Sequence, residues 1–278
     1  MRIGMISDLH LAPGRDSRCT TSPEDLTRLI DQLQEICDEV VIVGDAFDLL
    51  RARRLRGWAR ALDRLRVEQP DLMAAISGCK QVVGNHDHPL CARGVPAEVS
   101  YVSDKFKFIV MHGHQWDVWL KKIWGMEEGA NFVAGWCERV GLGKVSEWMG
   151  DVPGKVQEWT IGATESVPPE EQSAWHGAEQ ELERGWDILA MGHTHGLELK
   201  VIEETGKLVI NTGSHVHGYQ DLAILDLAQG VACTVRDRKL VQVSVFDDKC
   251  GGWEVSREDG RDRAWCVQEY GELLEDEK

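Results

Sequence analysis

Five short polar segments contain the residue types that bind metal ions and move protons. They are Asp8-Leu9-His10, Gly44-Asp45-Ala46-Phe47-Asp48, Gly84-Asn85-His86-Asp87, His112-Gly113-His114 and Gly192-His193-Thr194-His195. A spacing of two residues, as between Asp8 and His10, presents both side chains on one side of an extended backbone. Mixed carboxylate, amide and imidazole ligands suit Mn, Fe, Zn or Ni, and no cysteine is needed. The segments therefore predict a site for divalent metal ions.

Each of these segments follows a short apolar run that is typical of a buried strand. The runs are residues 2–7, 40–43, 81–83, 106–111 and 188–191, and a sixth run, 208–210, comes after the last polar segment. In an open α/β sheet the ligand site lies at the carboxyl ends of the strands. We therefore expect the five polar segments to converge on one edge.

The residues between the first two runs predict a helix. Ser22 is a suitable N-cap, Pro23 suits the first helical position, and an apolar stripe at three-to-four spacing runs from Leu26 to Ile36. A second helix is expected at about 52–67. The order β-α-β-α-β favours right-handed crossovers and a largely parallel sheet. From 197 to about 245 the pattern changes to β-hairpins, with a turn at 203–206.

Residues 115–185 carry no strand signal and hold seven of the eleven tryptophans. We interpret this range as a Trp-rich helical insertion. Clustered aromatic residues favour a core within the inserted helices, and the alternative is an apolar cap over the metal site. The last range, 251–278, reads as a polar, acidic C-terminal tail.

Composition narrows the classes of partner. The formal net charge of −16 disfavours binding to long nucleic acid, whose phosphates it would repel. A small anionic substrate stays compatible, because bound cations would neutralise part of that charge. The sequence has no apolar run of about 18 residues and no signal-peptide pattern after Met1. We expect a cytoplasmic protein without a transmembrane segment, and peripheral membrane contact stays open.

The ordered set D-x-H, G-D-x-x-D, G-N-H-D, H-G-H and G-H-x-H resembles the calcineurin-like metallophosphoesterase superfamily, from residue 1 to about 215. The resemblance implies an α/β fold, a four-layered α/β/β/α sandwich, here spanning residues 1–250 with the insertion. It also implies two divalent metal ions, with Mn preferred and Fe, Zn or Ni as alternatives. The implied reaction is hydrolysis of a phosphate ester or anhydride by a hydroxide that bridges the two ions.

Carried over position by position, the resemblance implies a role for each residue of the motifs. One ion would be bound by Asp8, His10 and His195, the other by Asn85, His112 and His193, and Asp45 would bridge them. His86 would protonate the leaving oxygen, and Asp48 would hold its imidazole by a hydrogen bond. His114 is either a residue that touches substrate or one that supports a ligand.

The G-D-x-F-D sequence and the helical insertion are similar to the UDP-2,3-diacylglucosamine hydrolase group, which splits a pyrophosphate in a nucleotide-linked lipid. His86 stands where that group has arginine, and His114 stands where it has aspartate. The Ser/Thr phosphatase branch fits less well, because Leu49 and Leu50 replace its arginine and glycine. A metal-free interaction module is a third alternative, but no ligand position is lost here.

The substrate is therefore expected to be a small phosphorylated molecule, with nucleotide- or lipid-linked compounds among the options. Monoester, diester and pyrophosphate preference, the native metal and the oligomeric state stay open. A structural role is favoured for His215 and His217, which follow Asn211-Thr212-Gly213-Ser214. The arginine cluster at 51–56 is more typical of a solvent-exposed helix face than of a phosphate-binding site.

Overall fold

The computed structural model describes residues 1–14, 17–49, 57–116, 169–216, 218–256, 261–271 and 273–274. The arginine cluster at 51–56, His217 and residues 117–168 of the insertion lie outside these ranges. The predictions made for them, including the cap, stay predictions.

Strands and helices alternate in the first third of the described chain, and strands dominate the last third. The strands are β1 (Arg2–Ile6), β2 (Glu39–Val43), β3 (Lys80–Val82), β4 (Glu98–Val102), β5 (Lys107–Met111), β6 (Ile188–Met191), β7 (Leu197–Ile202), β8 (Lys207–Thr212), β9 (Asp221–Asp226), β10 (Val231–Arg236), β11 (Lys239–Asp247) and β12 (Gly252–Val255). The α-helices are α1 (Pro23–Ile36), α2 (Trp58–Glu68), α3 (Pro70–Ser77), α4 (Pro169–Glu183) and α5 (Arg261–Glu269).

The strands form two mixed sheets. The first has the order β12-β11-β10-β9-β1-β2-β3, and the second has the order β4-β5-β6-β8-β7. Parallel pairing joins β1 to β2 and β2 to β3 in the first sheet, and β5 to β6 and β6 to β8 in the second. The remaining pairs are antiparallel. The parallel pairing predicted from the β-α-β-α-β order is confirmed for β1, β2 and β3. The β-hairpins predicted after residue 197 are confirmed by the antiparallel pairs β7–β8, β9–β10 and β10–β11, so the first sheet as a whole is mixed.

Three apolar cores separate four layers. The core between the two sheets includes Ile3, Val41, Phe108 and Ile210, all at most 1% exposed. A second core lies between the first sheet and the helices α1, α2, α3 and α5. A third lies between the second sheet and α4. The predicted α/β/β/α sandwich is confirmed.

The predicted first helix is confirmed with its cap. Ser22 is the N-cap of α1 and accepts a hydrogen bond from the backbone N–H of Asp25 at 3.1 Å, and Pro23 opens the helix. Leu26 and Leu33 are fully buried on the face towards the sheet. The α1 crossover sets β1 and β2 parallel, which brings their carboxyl ends to the same edge.

The range 251–278, for which the composition predicts a tail, contains β12 and α5. Cys266 and Tyr270 are buried, at i and i+4 spacing, among charged residues that hide this apolar stripe in the composition. Arg2 fixes the segment to β1, because its Nη2 atom donates to Glu269 at 2.6 Å and its guanidinium stacks 5.0 Å from the Tyr270 ring centroid. None of the described helices is long and apolar enough to cross a membrane.

Replacing the N-cap of α1 should destabilise the fold without touching the metal site. We expect Ser22→Ala to lower the free energy of unfolding by about 0.5 to 2 kcal/mol, because the N–H of Asp25 loses its acceptor. Ser22→Thr keeps a hydroxyl that can accept the N–H of Asp25 and donate to its carboxylate, and should stay near the wild-type value. Urea denaturation measures both variants, and equal stability of Ser22→Ala and wild type would contradict the capping role.

Candidate metal centre

The predicted polar segments meet where the two sheets come together at their carboxyl edges. Asp8, Asp45 and Asn85 follow β1, β2 and β3 of the first sheet. His112 and His193 follow β5 and β6 of the second sheet. The site therefore lies on the seam between the sheets and takes ligands from both.

One group of potential ligands consists of Asp8, His10 and His195, whose donor atoms all lie within 4.8 Å of one another. Oδ1 of Asp8 lies 3.2 Å from Nε2 of His195 and 3.7 Å from Nε2 of His10. This is the set that the family resemblance implies for one ion.

A second group consists of Asp8, Asp45 and His112. Oδ2 of Asp45 lies 3.3 Å from Nε2 of His112 and 3.7 Å from Nε2 of His10, so it faces both groups. The ring of His193 lies 5.2 Å from that of His112, between centroids. Asp8 belongs to both groups and Asp45 only to the second, whereas the resemblance implies the position between the two ions for Asp45.

Backbone strain is concentrated at the site. Seven described residues other than glycine have positive φ, and five of them are predicted ligands: Asp8 (53°), His10 (48°), Asp45 (51°), His193 (69°) and His195 (59°). Left-handed conformations of this kind cost free energy and persist where the surroundings enforce them, typically at functional sites. The loops are therefore shaped to direct these side chains inward.

The carboxylates and carbonyls of the site also fix the loops that carry the imidazoles. Asp8 Oδ2 accepts a hydrogen bond from the N–H of His193 at 3.0 Å, and Asp45 Oδ1 accepts one from the N–H of His86 at 2.8 Å. Nδ1 of His112 donates to the carbonyl of Val43 at 2.8 Å, which leaves its Nε2 atom to act as a ligand.

The donor set fits divalent cations. The Nε2 atoms of His10 and His112 are buried and have no hydrogen-bond partner within the described part of the chain. Buried polar atoms in folded proteins are normally hydrogen-bonded, so two such atoms aimed at buried carboxylates call for a bound cation. Imidazole and carboxylate donors together match borderline ions such as Mn, Fe, Zn and Ni.

Charged neighbours within the site oppose the effect that burial has on the pKa values of its residues. Burial raises the pKa of the Asp8 carboxyl, but His112 and His195 outweigh it and hold this pKa well below its usual range. Burial lowers the pKa of His112, whereas Asp45 and Asp8 raise it to about 10. A metal ion would take the place of this proton, since an imidazole binds metal only when it is neutral.

His86 and Asp48 form the predicted pair. Nδ1 of His86 lies 3.0 Å from Oδ1 of Asp48, and the His86 ring centroid lies 4.7 Å from that of His10. Burial lowers the pKa of His86, but Asp48 and Asp45 raise it above its ordinary value. The protonated form, which a general acid needs, is therefore favoured.

His114 lies beside the predicted ligand His112, whereas His215 lies behind the site. His114 is buried beside His112, with 5.4 Å between ring centroids, and burial together with His112 lowers its pKa to about 3, so it is neutral. His215 lies behind the site, where Nδ1 is 3.0 Å from Oγ1 of Thr21 and Nε2 is 3.0 Å from the carbonyl of Asp221. The backbone N–H of His215 donates a hydrogen bond to the backbone carbonyl of Asp8 at 3.3 Å, so the contacts of His215 support the loop that carries Asp8.

Asp87 is a residue of the site to which the sequence analysis gave no role. Its carboxylate accepts hydrogen bonds from the N–H groups of Gly84 at 2.7 Å and Phe47 at 3.4 Å, and so joins the loops after β2 and β3. Burial and the neighbouring Asp45 raise the pKa of Asp87 to about 7. In the sequence, the position of Asp87 at the end of the G-N-H-D segment was the signal that could have indicated its place in the site.

Two glycines are needed for different reasons. Gly44 has φ of 82°, and a Cβ atom there would also overlap the ring of His112. Gly84 has no such left-handed φ, but its Cβ atom would lie 2.7 Å from Cγ of Asp45. The close approach to the carboxylate of Asp45 excludes a side chain at Gly84.

Residues 1–197 match the model of the calcineurin-like phosphoesterase family. The chain belongs to this family, and its two-sheet sandwich is the fold expected for it. No curated protein matches the sequence.

Three solved structures illustrate what the chain is similar to. A predicted phosphoesterase from Streptococcus pneumoniae TIGR4 is 15% identical, with 92% of this chain and 96% of that chain covered and a TM-score of 0.42. Vps29 complexed with Zn+2 from Entamoeba histolytica is 18% identical, with 92% and 98% covered and a TM-score of 0.40. An archaeal phosphodiesterase is 16% identical, with 85% and 99% covered and a TM-score of 0.39.

Adding one methyl group at Gly84 should damage the metal centre. We expect Gly84→Ala to lose most of its bound metal, because the new Cβ atom would displace Asp45. Gly271→Ala is the control, since its Cβ atom would contact only the carbonyl of Val267 at 3.0 Å, outside the site. Metal content after dialysis, measured by elemental analysis, separates the two, and full metal content in Gly84→Ala would contradict the steric role.

Proposed function

We propose that the protein is a hydrolase that uses two divalent metal ions to cleave a phosphate ester or anhydride. One observation carries the proposal: Oδ2 of Asp45 faces Nε2 of His10 at 3.7 Å and Nε2 of His112 at 3.3 Å, and these two buried imidazoles belong to different groups of potential ligands. A carboxylate with two oxygens in this position is suited to bridging a pair of ions.

In this proposal Asp8, His10 and His195 hold one ion, and Asn85, His112 and His193 hold the other. When bound, such ions would supply Lewis acidity and would lower the pKa of water, so that hydroxide is available as a nucleophile near neutral pH. The chain's part is to hold these ligands rigidly. The hydrogen bonds from His193 to Asp8 and from His86 to Asp45 achieve this, because each ties a ligand-bearing loop to a carboxylate of the centre.

His86 is the proposed general acid. Asp48 fixes its ring through Nδ1 at 3.0 Å and favours its protonated form, so Nε2 is left to donate a proton to the leaving oxygen. His114, neutral and buried beside His112, is proposed to contact substrate.

Finer features of the function also remain proposals. Manganese is the proposed ion, and the substrate is a small phosphorylated molecule. A nucleotide-linked lipid, by analogy with the UDP-2,3-diacylglucosamine hydrolase group, is one alternative for the substrate, and a non-catalytic module is the alternative to enzyme activity. The cytoplasmic location stays a prediction.

Removing the charge of the Asp45 carboxylate should weaken metal binding and abolish turnover. We expect wild type to bind about two divalent ions per chain and to hydrolyse nitrophenyl phosphate or a nitrophenyl diester in the presence of Mn. Asp45→Asn should lose at least one of these ions and the activity. Asp63→Asn, at an exposed residue of α2 paired with Arg66 at 2.9 Å, is the matched control.

Metal content is measured by elemental analysis, and turnover by release of nitrophenol. A wild-type protein with neither bound metal nor activity in Mn would support the non-catalytic module. Full activity in Asp45→Asn would remove Asp45 from the proposed bridge.

Removing the general acid should slow the reaction and leave the metal in place. We expect His86→Ala to keep its metal and to lower kcat by about 10² to 10⁴, the usual range for a lost general acid. The loss should shrink for aryl phosphates with good leaving groups, which need no proton. His176→Ala, at an exposed histidine of α4, is the control. Equal losses for all leaving groups would exclude proton donation.

A further inference from the structure

The loop of residues 192–196, which carries the predicted ligands His193 and His195, crosses the end of β8. It leaves β6 and enters β7, and both of these strands pair with β8, which lies between them in the second sheet. Asn211, near the carboxyl end of β8, takes part in both pairings. The loop therefore passes over the part of β8 that holds Asn211.

The side chain of Asn211 contacts the middle of this loop. Asn211 is fully buried, and its Nδ2 atom donates a hydrogen bond to Oγ1 of Thr194 at 2.6 Å. Its Oδ1 atom accepts the backbone N–H of Gly213 at 3.4 Å, which fixes the orientation of the amide because that N–H can only donate. Thr194 is thus held from below by a side chain of β8.

Thr194 stands between two residues whose backbone is left-handed. The φ angle is 69° at His193 and 59° at His195, and such conformations persist where the surroundings enforce them. The hydrogen bond from Asn211 fixes the residue that joins these two histidines. It is therefore placed to enforce the backbone conformation of both.

Two further contacts fix the start of the loop. The N–H of Gly192 donates to the carbonyl of His112 at 3.0 Å, and the N–H of His193 donates to Oδ2 of Asp8 at 3.0 Å. Asn211 acts on the next residue along the chain, between the two imidazoles. Its contact complements the other two, because a loop fixed at its start alone leaves the direction of the second imidazole unset.

We propose that Asn211 is a positioning residue of the metal centre, which directs the imidazoles of His193 and His195 by holding Thr194. The inference rests on the proposed function, in which His195 binds one ion and His193 the other. Asn211 therefore acts on both ions through the loop, without binding either. Polar residues that orient metal ligands in this way typically contribute about 10- to 100-fold to metal affinity.

Removing the acceptor of this hydrogen bond should weaken the binding of both ions. Thr194→Val loses the hydroxyl and keeps the branched shape, and we expect it to raise the Kd for Mn about 10- to 100-fold at both sites. Thr194→Ser restores an acceptor and should recover most of this loss. Thr205→Val, at an exposed threonine in the turn between β7 and β8, is the matched control and should bind Mn like the wild type. Titration of the metal-free full-length chain with Mn, followed by the paramagnetic resonance signal of unbound Mn, measures these affinities.

A double variant tests whether the two side chains act through one bond. Asn211→Leu removes the donor with little change in side-chain volume. If the bond carries the effect, Thr194→Val with Asn211→Leu should bind Mn about as well as the weaker of the two single variants. Losses that add would show that the two residues act separately, and would overturn the shared bond. The thermal unfolding midpoint establishes that each variant is folded, and if Asn211→Leu does not fold, the comparison of Thr194→Val with Thr194→Ser decides.

The Mn dependence of turnover links the bond to function. Thr194→Val keeps every predicted ligand, so raising the Mn concentration should restore most of the hydrolysis of nitrophenyl phosphate. The Mn concentration for half-maximal activity should therefore rise by about the same factor as the Kd, 10- to 100-fold, whereas kcat at saturating Mn should change less.

The outcomes separate this inference from the proposed function. Wild-type affinity for Mn in Thr194→Val, or equal losses in Thr194→Val and Thr194→Ser, would overturn the positioning role. A wild-type protein that binds two Mn ions but hydrolyses no phosphate ester would overturn the proposed function, while the affinities of the variants would still decide the role of Asn211. A wild-type protein that binds no Mn would overturn both.

Discussion

The arrangement of the site depends on the contacts that the carboxylate of Asp45 makes. One of its oxygens accepts the N–H of His86, at the end of β3, and the other faces His112 from the opposite sheet at 3.3 Å. A single side chain thereby joins neighbouring strands of one sheet and the two sheets across their seam. The close approach of Gly84 follows from this arrangement, because the loop must pass over the carboxylate without a side chain.

The strained ligand loops need a rigid support, and the four-layered packing supplies it. Five ligands with positive φ store conformational free energy that loops on a mobile scaffold would release. Here β1, β2, β5 and β6 are buried on both faces, between apolar cores. The rigid strands hold the loop ends fixed, so the predicted ligands stay directed at one another despite the strain in their backbone.

Electrostatics gives the site its selectivity. The chain carries a net charge of −16, and Asp8, Asp45, Asp48 and Asp87 are all buried within or around the centre. Such a concentration of carboxylates attracts divalent cations and repels anions until the cations are bound. Under the proposed function, a phosphorylated substrate would thus be attracted only once the cations are bound.

The sequence alone determined the motifs, the capped helix α1 and the strands that precede each motif, because these depend on local spacing and hydrophobic period. The family resemblance supplied the layer order. Only the tertiary structure decided that β9 pairs with β1, which attaches the later strands to the first sheet, and that β12 and α5 complete the fold beyond residue 250. The role of Asp87 likewise became visible only once the loops were folded together. It arises from a contact between segments distant in sequence, with the N–H of Phe47, and spacing along the chain does not encode which carboxylate lies beside which partner.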